Sequence, residues 1–280
     1  MHNIQIKPED VNLVIYHKNC SDGFGAAWAA HELLGSKAMY VPAQYDDIDF
    51  VFYLKNRTIA VLDFSFSEDQ INKIKSNGNK ICIVDHHKTA EKISHLENTW
   101  IDSKFSGAVL AWKFFHPNKK IPLFLKYIQD RDLWKWELEG SRNFSIAFQN
   151  IPRTFESYSE FTSSKKIKDT IRSGSLLNDY QFSLIKRISA NFFPCEYKGT
   201  KIKLVNSSIL QSEIGNYLST EDTAVAIWYK NYSANKTIVS LRSKQDLDVS
   251  LIAQDFNGGG HKNAAGFSID IDTNVQELFT

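Results

Sequence analysis

The chain has 280 residues, 42% of them apolar and 23% charged, with 33 Lys and Arg against 32 Asp and Glu. That composition excludes a disordered chain, a collagen-like repeat and a disulfide-stapled miniprotein, and the length suits about two domains. A formal charge of +1 drives the chain toward neither nucleic acid nor membrane, although a local basic groove is compatible with it. No run approaches the ~18–20 apolar residues of a membrane span, and the opening MHNIQIKPED lacks the basic start and apolar stretch of a signal peptide. The expectation is a soluble, cytoplasmic product with no membrane partner.

In chain order, residues Val11 to Tyr16 read as a buried strand and Gly25 to Leu34 as a helix. Thr58 to Asp63 is a second strand. A helix follows near Ser67 and Glu68, where Ser67, Glu68, Asp69 and Gln70 resemble a capping box. Gly78 ends that helix, and Lys80 to Val84 is a third strand. Strands separated by helices predict a βαβ arrangement with a mostly parallel sheet, so the fold class is α/β. Ligands of such sheets gather beyond the carboxyl ends of the strands. A helical pattern returns from Pro122 to Trp136, residues 137–175 show no clear period, and Leu176 to Ala190 form a basic helical connector. After Pro194 come short strands (202–205, 224–229 and 237–242) and a helix at 249–256. The domain boundary is expected near 180–195, giving domains of 1–185 and 190–280.

Acidic and histidine clusters fall at the predicted strand ends. His17 and Asp22 follow the first strand, Asp63 closes the second, and Asp85, His86 and His87 follow the third. Asp130, Arg131 and Asp132 lie on or at the end of a later helix. Gathering carboxylates and imidazoles at one sheet edge is costly unless a cation offsets them. Mixed oxygen and imidazole donors suit manganese, magnesium or a similar divalent ion. Cys20, Cys82 and Cys195 form no CxxC pair, which argues against a zinc finger or a disulfide framework. So many donors from separate strands suit a two-metal site in which a central aspartate bridges the ions.

A further signal is Gly258, Gly259 and Gly260 followed by His261 and Lys262. Three glycines let backbone N–H groups form an anion-binding nest, although a helix C-cap would use one of them. Arginine occurs only seven times, and Arg242, ending a strand, suits a bidentate grip on phosphate.

The order His17/Asp22, Asp63, Asp85-His86-His87, Asp130 and a late GGGHKNAAGF resembles the DHH phosphoesterase superfamily with a C-terminal DHHA1 domain, along essentially the whole chain. The resemblance implies a Rossmann-like parallel-sheet DHH domain and a smaller α/β DHHA1 domain, with the active site in the cleft between them. It also implies two manganese ions, with magnesium or another divalent ion as the alternative. Carried over, Asp63 is the bridging aspartate, His86 a metal ligand, and His87 faces the scissile phosphate. Asp85 is a ligand or the partner of an imidazole, and Asp130 fits the fourth motif better than Asp132 because of its spacing to Trp134. With His17 and Asp22 the implied ligand set is His17, Asp22, Asp63, Asp85, His86 and Asp130, with Asp85 and His87 as the catalytic pair. Ser106, Gly107 and Ala108 resemble a family stretch whose N–H groups meet phosphate. Ser106, Arg242, Gly258, Gly259, Gly260 and His261 are the expected substrate contacts.

One departure stands out. The family's first motif pairs its histidine with two aspartates, whereas here only Asp22 is present. Cys20 or Phe24 occupies the other place, with Asn19 or Cys20 as substitute ligands, which implies a weaker second metal site. The expected activity is manganese-dependent, nanoRNase-like hydrolysis of short single-stranded oligonucleotides or dinucleotides. A phosphodiesterase of cyclic or linear dinucleotide signals, a phosphatase of 3′-phosphoadenosine 5′-phosphate and a non-catalytic nucleotide-binding module are the alternatives. Phe24, Phe64, Trp134 and Trp136 are candidates to stack a base. Family members are often dimers, so a homodimer is the oligomer to look for.

Overall fold

A computed structural model describes residues 4–44 and 48–279. Contacts divide the chain into Met1–Asn178 and Asp179–Thr280. The first unit contains β1 (Leu13–His17), α1 (Ser21–Leu34), β2 (Met39–Ala43), β3 (Thr58–Leu62), α2 (Glu68–Ser76), β4 (Lys80–Asp85), β5 (Thr99–Ile101), α3 (Gly107–Phe115), α4 (Leu123–Asp132), α5 (Ser141–Phe148) and α6 (Phe155–Ser159). The unit boundary falls within α7 (Ser164–Ser189), a single helix where sequence periodicity predicts only its second half. The second unit continues with β6 (Phe193–Tyr197), β7 (Thr200–Asn206), α8 (Gln211–Leu218), β8 (Thr223–Asn231), β9 (Lys236–Arg242), α9 (Val249–Asp255), β10 (Gly259–His261) and β11 (Ala264–Asp270).

The first sheet has the order β2-β1-β3-β4-β5, and every described pairing in it is parallel. Its strands are apolar at consecutive positions because both faces are covered, as a parallel sheet requires. Val14, Ala60, Leu62, Cys82 and Val84 pack on one side with α1 and α3, whereas Leu13, Ile15, Ile59, Val61, Ile81 and Ile83 face α2 on the other. Strand order reverses between β1 and β3, the switch point where doubly wound sheets bind ligands beyond the strands' carboxyl ends. α2 begins as predicted: Ser67 Oγ accepts from Gln70 N, and Gln70 Oε1 accepts from Ser67 N.

The second unit is a mixed sheet of order β10-β11-β9-β8-β7-β6, parallel only between β7 and β8 among the described strands. α9 covers one face over Ile202, Leu204, Ala224, Ala226, Val239 and Leu241, and α8 packs its Ile214 and Leu218 on Val205, Val225 and Ile227. Both units are therefore α/β, the first with a parallel sheet and the second with a mixed one. Among the described residues no helix is long and apolar enough to cross a membrane.

Candidate metal centre

The cluster is assembled from the ends of β1, β3 and β4 at the switch point, joined by the start of α1 and the end of α4. β3 ends at Leu62, and Asp63 turns the chain in the left-handed region at φ 54°, a conformation Asp tolerates better than most residues. That turn aims the buried Asp63 carboxylate back over the sheet end. The space it fills exists because position 107 is glycine: a Cβ there would lie 2.4 Å from Asp63 Cβ. Position 23 is similarly constrained, since a Cβ would stand 2.1 Å from the His17 carbonyl oxygen. Only glycine lets the first turn of α1 fold onto the end of β1.

Asp63 faces donors on two sides. Its Oδ2 lies 3.6 Å from His17 Nδ1 and 3.4 Å from Cys20 Sγ, and Cys20 Sγ is also 3.4 Å from His17 Nδ1. Its Oδ1 is 3.1 Å from His86 Nε2, which stands 3.6 Å from Asp22 Oδ2 and 3.5 Å from Asp132 Oδ2. Apart from its approach to His86 Nε2, Asp63 Oδ1 is buried without a hydrogen-bond partner among the described residues. Such an atom is costly unless a cation or donor reaches it.

Charge balance points the same way. Burial pushes Asp22 up, reinforced by Asp132 and Asp63, and burial chiefly pushes Asp132 up to about 6. Burial would lower His86, but its contact with Asp63 and the charges of Asp22, Asp132 and Asp63 raise it to about 10. For Asp63 burial is outweighed by contacts with His17 and His86, which hold it well below the usual carboxylate range. The Cys20 thiol is pushed up by burial and by the charges of Asp63 and Asp22. Without a cation the cluster therefore retains protons, a donor set short of positive charge. A divalent cation fits it.

Asp85 has a different position. Its Oδ1 accepts from His87 Nδ1 at 2.7 Å, from His86 N at 2.7 Å and from His87 N at 3.3 Å, while Ser65 Oγ donates to Oδ2. Although Asp85 lies within a group of possible ligands with Asp63, His86 and His87, its acceptor positions are engaged in holding the two histidines. Of its two expected roles, partner of an imidazole is the one these hydrogen bonds display. The carboxylate fixes the proton on His87 Nδ1 and raises His87 against the lowering effect of burial. Ser65 carries no sequence signal, because a serine three residues beyond a strand is ordinary.

Asp130 also departs from expectation. Its carboxylate accepts from Glu137 N at 3.0 Å and Leu138 N at 3.1 Å, tying down the turn in which Trp134 and Trp136 are left-handed. Asp132, two residues on, is the carboxylate in the cluster. The expected contact between phosphate and the N–H groups opening α3 is also corrected. Gly107 N and Ala108 N donate to Asp22 at 2.6 and 3.0 Å, and Ser106 N donates to Gln129 Oε1. Ser106 itself is fully buried. Of the two candidates for the missing first-motif aspartate, Cys20 faces the cluster. Phe24 is buried against Phe155 and Tyr158, and Phe64 packs on His17 and Phe66, so neither is placed to stack a base.

In the second unit, Arg242 ends β9, and its guanidinium is oriented by bonds to the Leu241 carbonyl and to Ser212 Oγ. Gly215 of α8 gives its stem room, since a Cβ there would lie 2.4 Å from Arg242 Cγ. The glycine run is not an open nest. Asn257 is left-handed, Asn257 N donates to Gln254 O, and Gly258 N donates to Ala253 O, which is a Schellman cap on α9. Gly259, Gly260 and His261 then form β10, paired with Ala264, Ala265 and Gly266.

In outline, a doubly wound sheet with an Asp/His donor cluster at its switch point is followed by a mixed-sheet unit. A family model of the DHHA1 domain matches residues 199–280. The chain is 31% identical over 288 residues to an uncharacterized protein of Acanthamoeba polyphaga mimivirus, covering 93% of this chain and 68% of that protein. It is 25% identical over 240 residues to oligoribonuclease NrnB of Bacillus subtilis, covering 76% of this chain and 58% of that protein. Its fold is similar to that of RecJ in complex with Mn2+ from Thermus thermophilus, with a TM-score of 0.52 and 12% identity over 93% of this chain and 50% of that one. The chain belongs to the DHH phosphoesterase superfamily and carries its C-terminal DHHA1 domain.

Proposed function

We propose that this protein is a divalent-metal-dependent phosphodiesterase that hydrolyses short single-stranded oligonucleotides to mononucleotides. The observation that carries the reading is the Asp63 carboxylate standing between two donor groups, with His87 held beside it by Asp85. His17 and Asp63 would hold one ion, and Asp22, His86, Asp132 and Asp63 the other. Manganese is the ion favoured by the likeness to RecJ and by the oxygen and imidazole donors. Bound there, the pair supplies Lewis-acid polarisation of the phosphoryl oxygens and a lowered pKa for water.

The chain's own residues supply orientation and proton transfer. Asp85 accepts from His87 Nδ1, so Nε2 is the nitrogen assigned to the substrate. As an imidazolium, which the raised pKa favours, it donates from Nε2 to a phosphate oxygen or to the leaving alkoxide as the P–O bond breaks. Gly107 N and Ala108 N hold the Asp22 carboxylate toward His86. Within the second unit Arg242 and His261 are assigned to substrate phosphate, as charge-assisted donors.

The likeness to NrnB and the near-neutral net charge both support a short substrate, since a processive nuclease usually carries a basic track. The test is manganese-dependent hydrolysis of an end-labelled RNA ladder from about two to about 24 nucleotides, with His86→Ala as control. Rapid loss of the shortest species in the wild type alone is the expected result. An intact ladder at saturating manganese, with cyclic dinucleotide and 3′-phosphoadenosine 5′-phosphate also untouched, would overturn the proposal in favour of a binding role.

A further inference from the structure

We propose that Cys20 is a metal ligand through Sγ, making the His17 half of the centre a sulfur-containing site that takes zinc or cobalt(II) in preference to magnesium or manganese. The inference rests on the reading that the cluster holds divalent ions. It goes beyond that reading by making the two halves chemically unlike.

The geometry comes from three atoms. Cys20 Sγ, His17 Nδ1 and Asp63 Oδ2 form a nearly equilateral triangle with edges of 3.4, 3.4 and 3.6 Å. A point equidistant from such atoms lies about 2 Å from each, and slightly farther when lifted from their plane, which spans the ~2.0–2.3 Å of zinc bonds to nitrogen, oxygen and sulfur. Three donors of different type converging this closely would crowd one another unless protons or a cation lay between them. The same Asp63 carboxylate, only 2% exposed, turns its Oδ1 to His86 Nε2 at 3.1 Å, so its Oδ2 is the oxygen left to the His17 and Cys20 side.

A plainer role is that of a helix cap, for Cys20 Sγ accepts from Gly23 N at 3.1 Å. A cap alone does not account for the residue type. Serine, asparagine and aspartate cap helices better than a thiol, and a cap need not also reach an imidazole and a carboxylate on two different strand ends. The cap is compatible with ligation: Gly23 N donates to Sγ at the start of the 14-residue α1, opposing the effect of burial and of the Asp63 and Asp22 charges on the thiol. The left-handed Asn19 (φ 65°) turns the chain so that His17 and Cys20 face the same point. Donor softness then sets the preference: thiolate with imidazole and one carboxylate suits zinc or cobalt, whereas Asp22, His86, Asp132 and Asp63 form an oxygen-rich set suited to manganese or magnesium.

Cobalt(II) titration of the full-length, metal-stripped protein tests this, read by absorption in the near ultraviolet and by equilibrium dialysis. Wild type is expected to bind cobalt with a sulfur-to-cobalt charge-transfer band that is absent from Cys20→Ser and Cys20→Asp. Both replacements are competent caps, so loss of the band would not report loss of α1. Cys20→Asp is also expected to lower the preference for zinc over manganese by about 10–100-fold, the range that even outer-shell partners of a metal command. Cobalt bound in the wild type without the band would overturn the role of Cys20 and leave the metal centre standing. A band that persists in Cys20→Ser would overturn it equally, by assigning the sulfur to another cysteine. Failure of the wild type to bind cobalt, zinc or manganese would overturn both this inference and the reading beneath it.

Discussion

Asp130 and Asp132 lie two residues apart, and their contacts predict opposite phenotypes. Asp130 is 4% exposed, and its two oxygens accept from Glu137 N and Leu138 N. Alanine there leaves two partly buried N–H groups without acceptors. With a hydrogen bond to a charged group contributing ~1.5–3 kcal/mol, partly replaced here by water, the cost is about 2–4 kcal/mol. For a chain of this size that lowers Tm by on the order of 10 °C. Asp132 is instead crowded by Asp22 and Asp63 and pushed up to about 6. Removing it relieves like-charge repulsion but gives up the 3.5 Å contact with His86, so the EDTA-treated Asp132→Ala protein should melt near the wild-type temperature at pH 8. Its manganese affinity should fall by about 10–100-fold, while Asp130→Ala retains near-wild-type affinity at temperatures where it is folded. Thermal unfolding in EDTA and calorimetric titration with manganese measure both effects. If Asp130→Ala loses metal binding without loss of stability, or Asp132→Ala loses stability and keeps manganese, the assignment of the two carboxylates is wrong.

Protons and metal compete for the same cluster, and the direction of the effect is fixed. His86 is raised to about 10, so its stabilisation of the metal-free fold is complete below about 6.5 and is lost as pH rises toward 10. Asp132, raised to about 6, likewise favours the protonated fold below that pH. The metal-free protein should therefore weaken from pH 6.5 to 10, and the Tm gain on adding manganese should widen over that window; a gain independent of pH would contradict this. His87→Ala should lose about 10²–10⁴ in kcat with manganese stoichiometry intact, and full turnover would remove His87 from the chemistry. Gly107→Ala should cost about 1–3 kcal/mol through overpacking and displace the Asp63 carboxylate. Unchanged manganese affinity in that variant would show that the carboxylate tolerates the extra methyl group.

Much of the first unit is legible from the sequence because its central strands are apolar on both faces, as a covered parallel sheet demands. β2 is harder to see: it is an edge strand carrying Pro42, a residue that central strands exclude. β5 is only three residues long, and β11 lies inside a glycine-rich stretch whose composition suggests a loop. Strand-end chemistry marks His17, Asp63 and His86, which the fold brings together. The choice between Asp130 and Asp132 is not written in local spacing. It depends on which carboxylate the backbone N–H groups of the following turn capture. Similarly, nothing near Gly107 announces that its N–H belongs to Asp22, 85 residues earlier. Cys20 reads locally as a departure from the family pattern, and only the convergence with His17 and Asp63 gives it a chemical role.

The most direct test of the centre is anomalous diffraction at the manganese edge from crystals equilibrated with saturating Mn2+. Two peaks about 3.5–4 Å apart, on opposite sides of the Asp63 carboxylate, are expected. One should lie against Asp22, His86 and Asp132, and the other against His17. An empty Asp63 carboxylate, or an ion coordinated by Asp85 or Asp130 in its place, would contradict a bridged two-ion site.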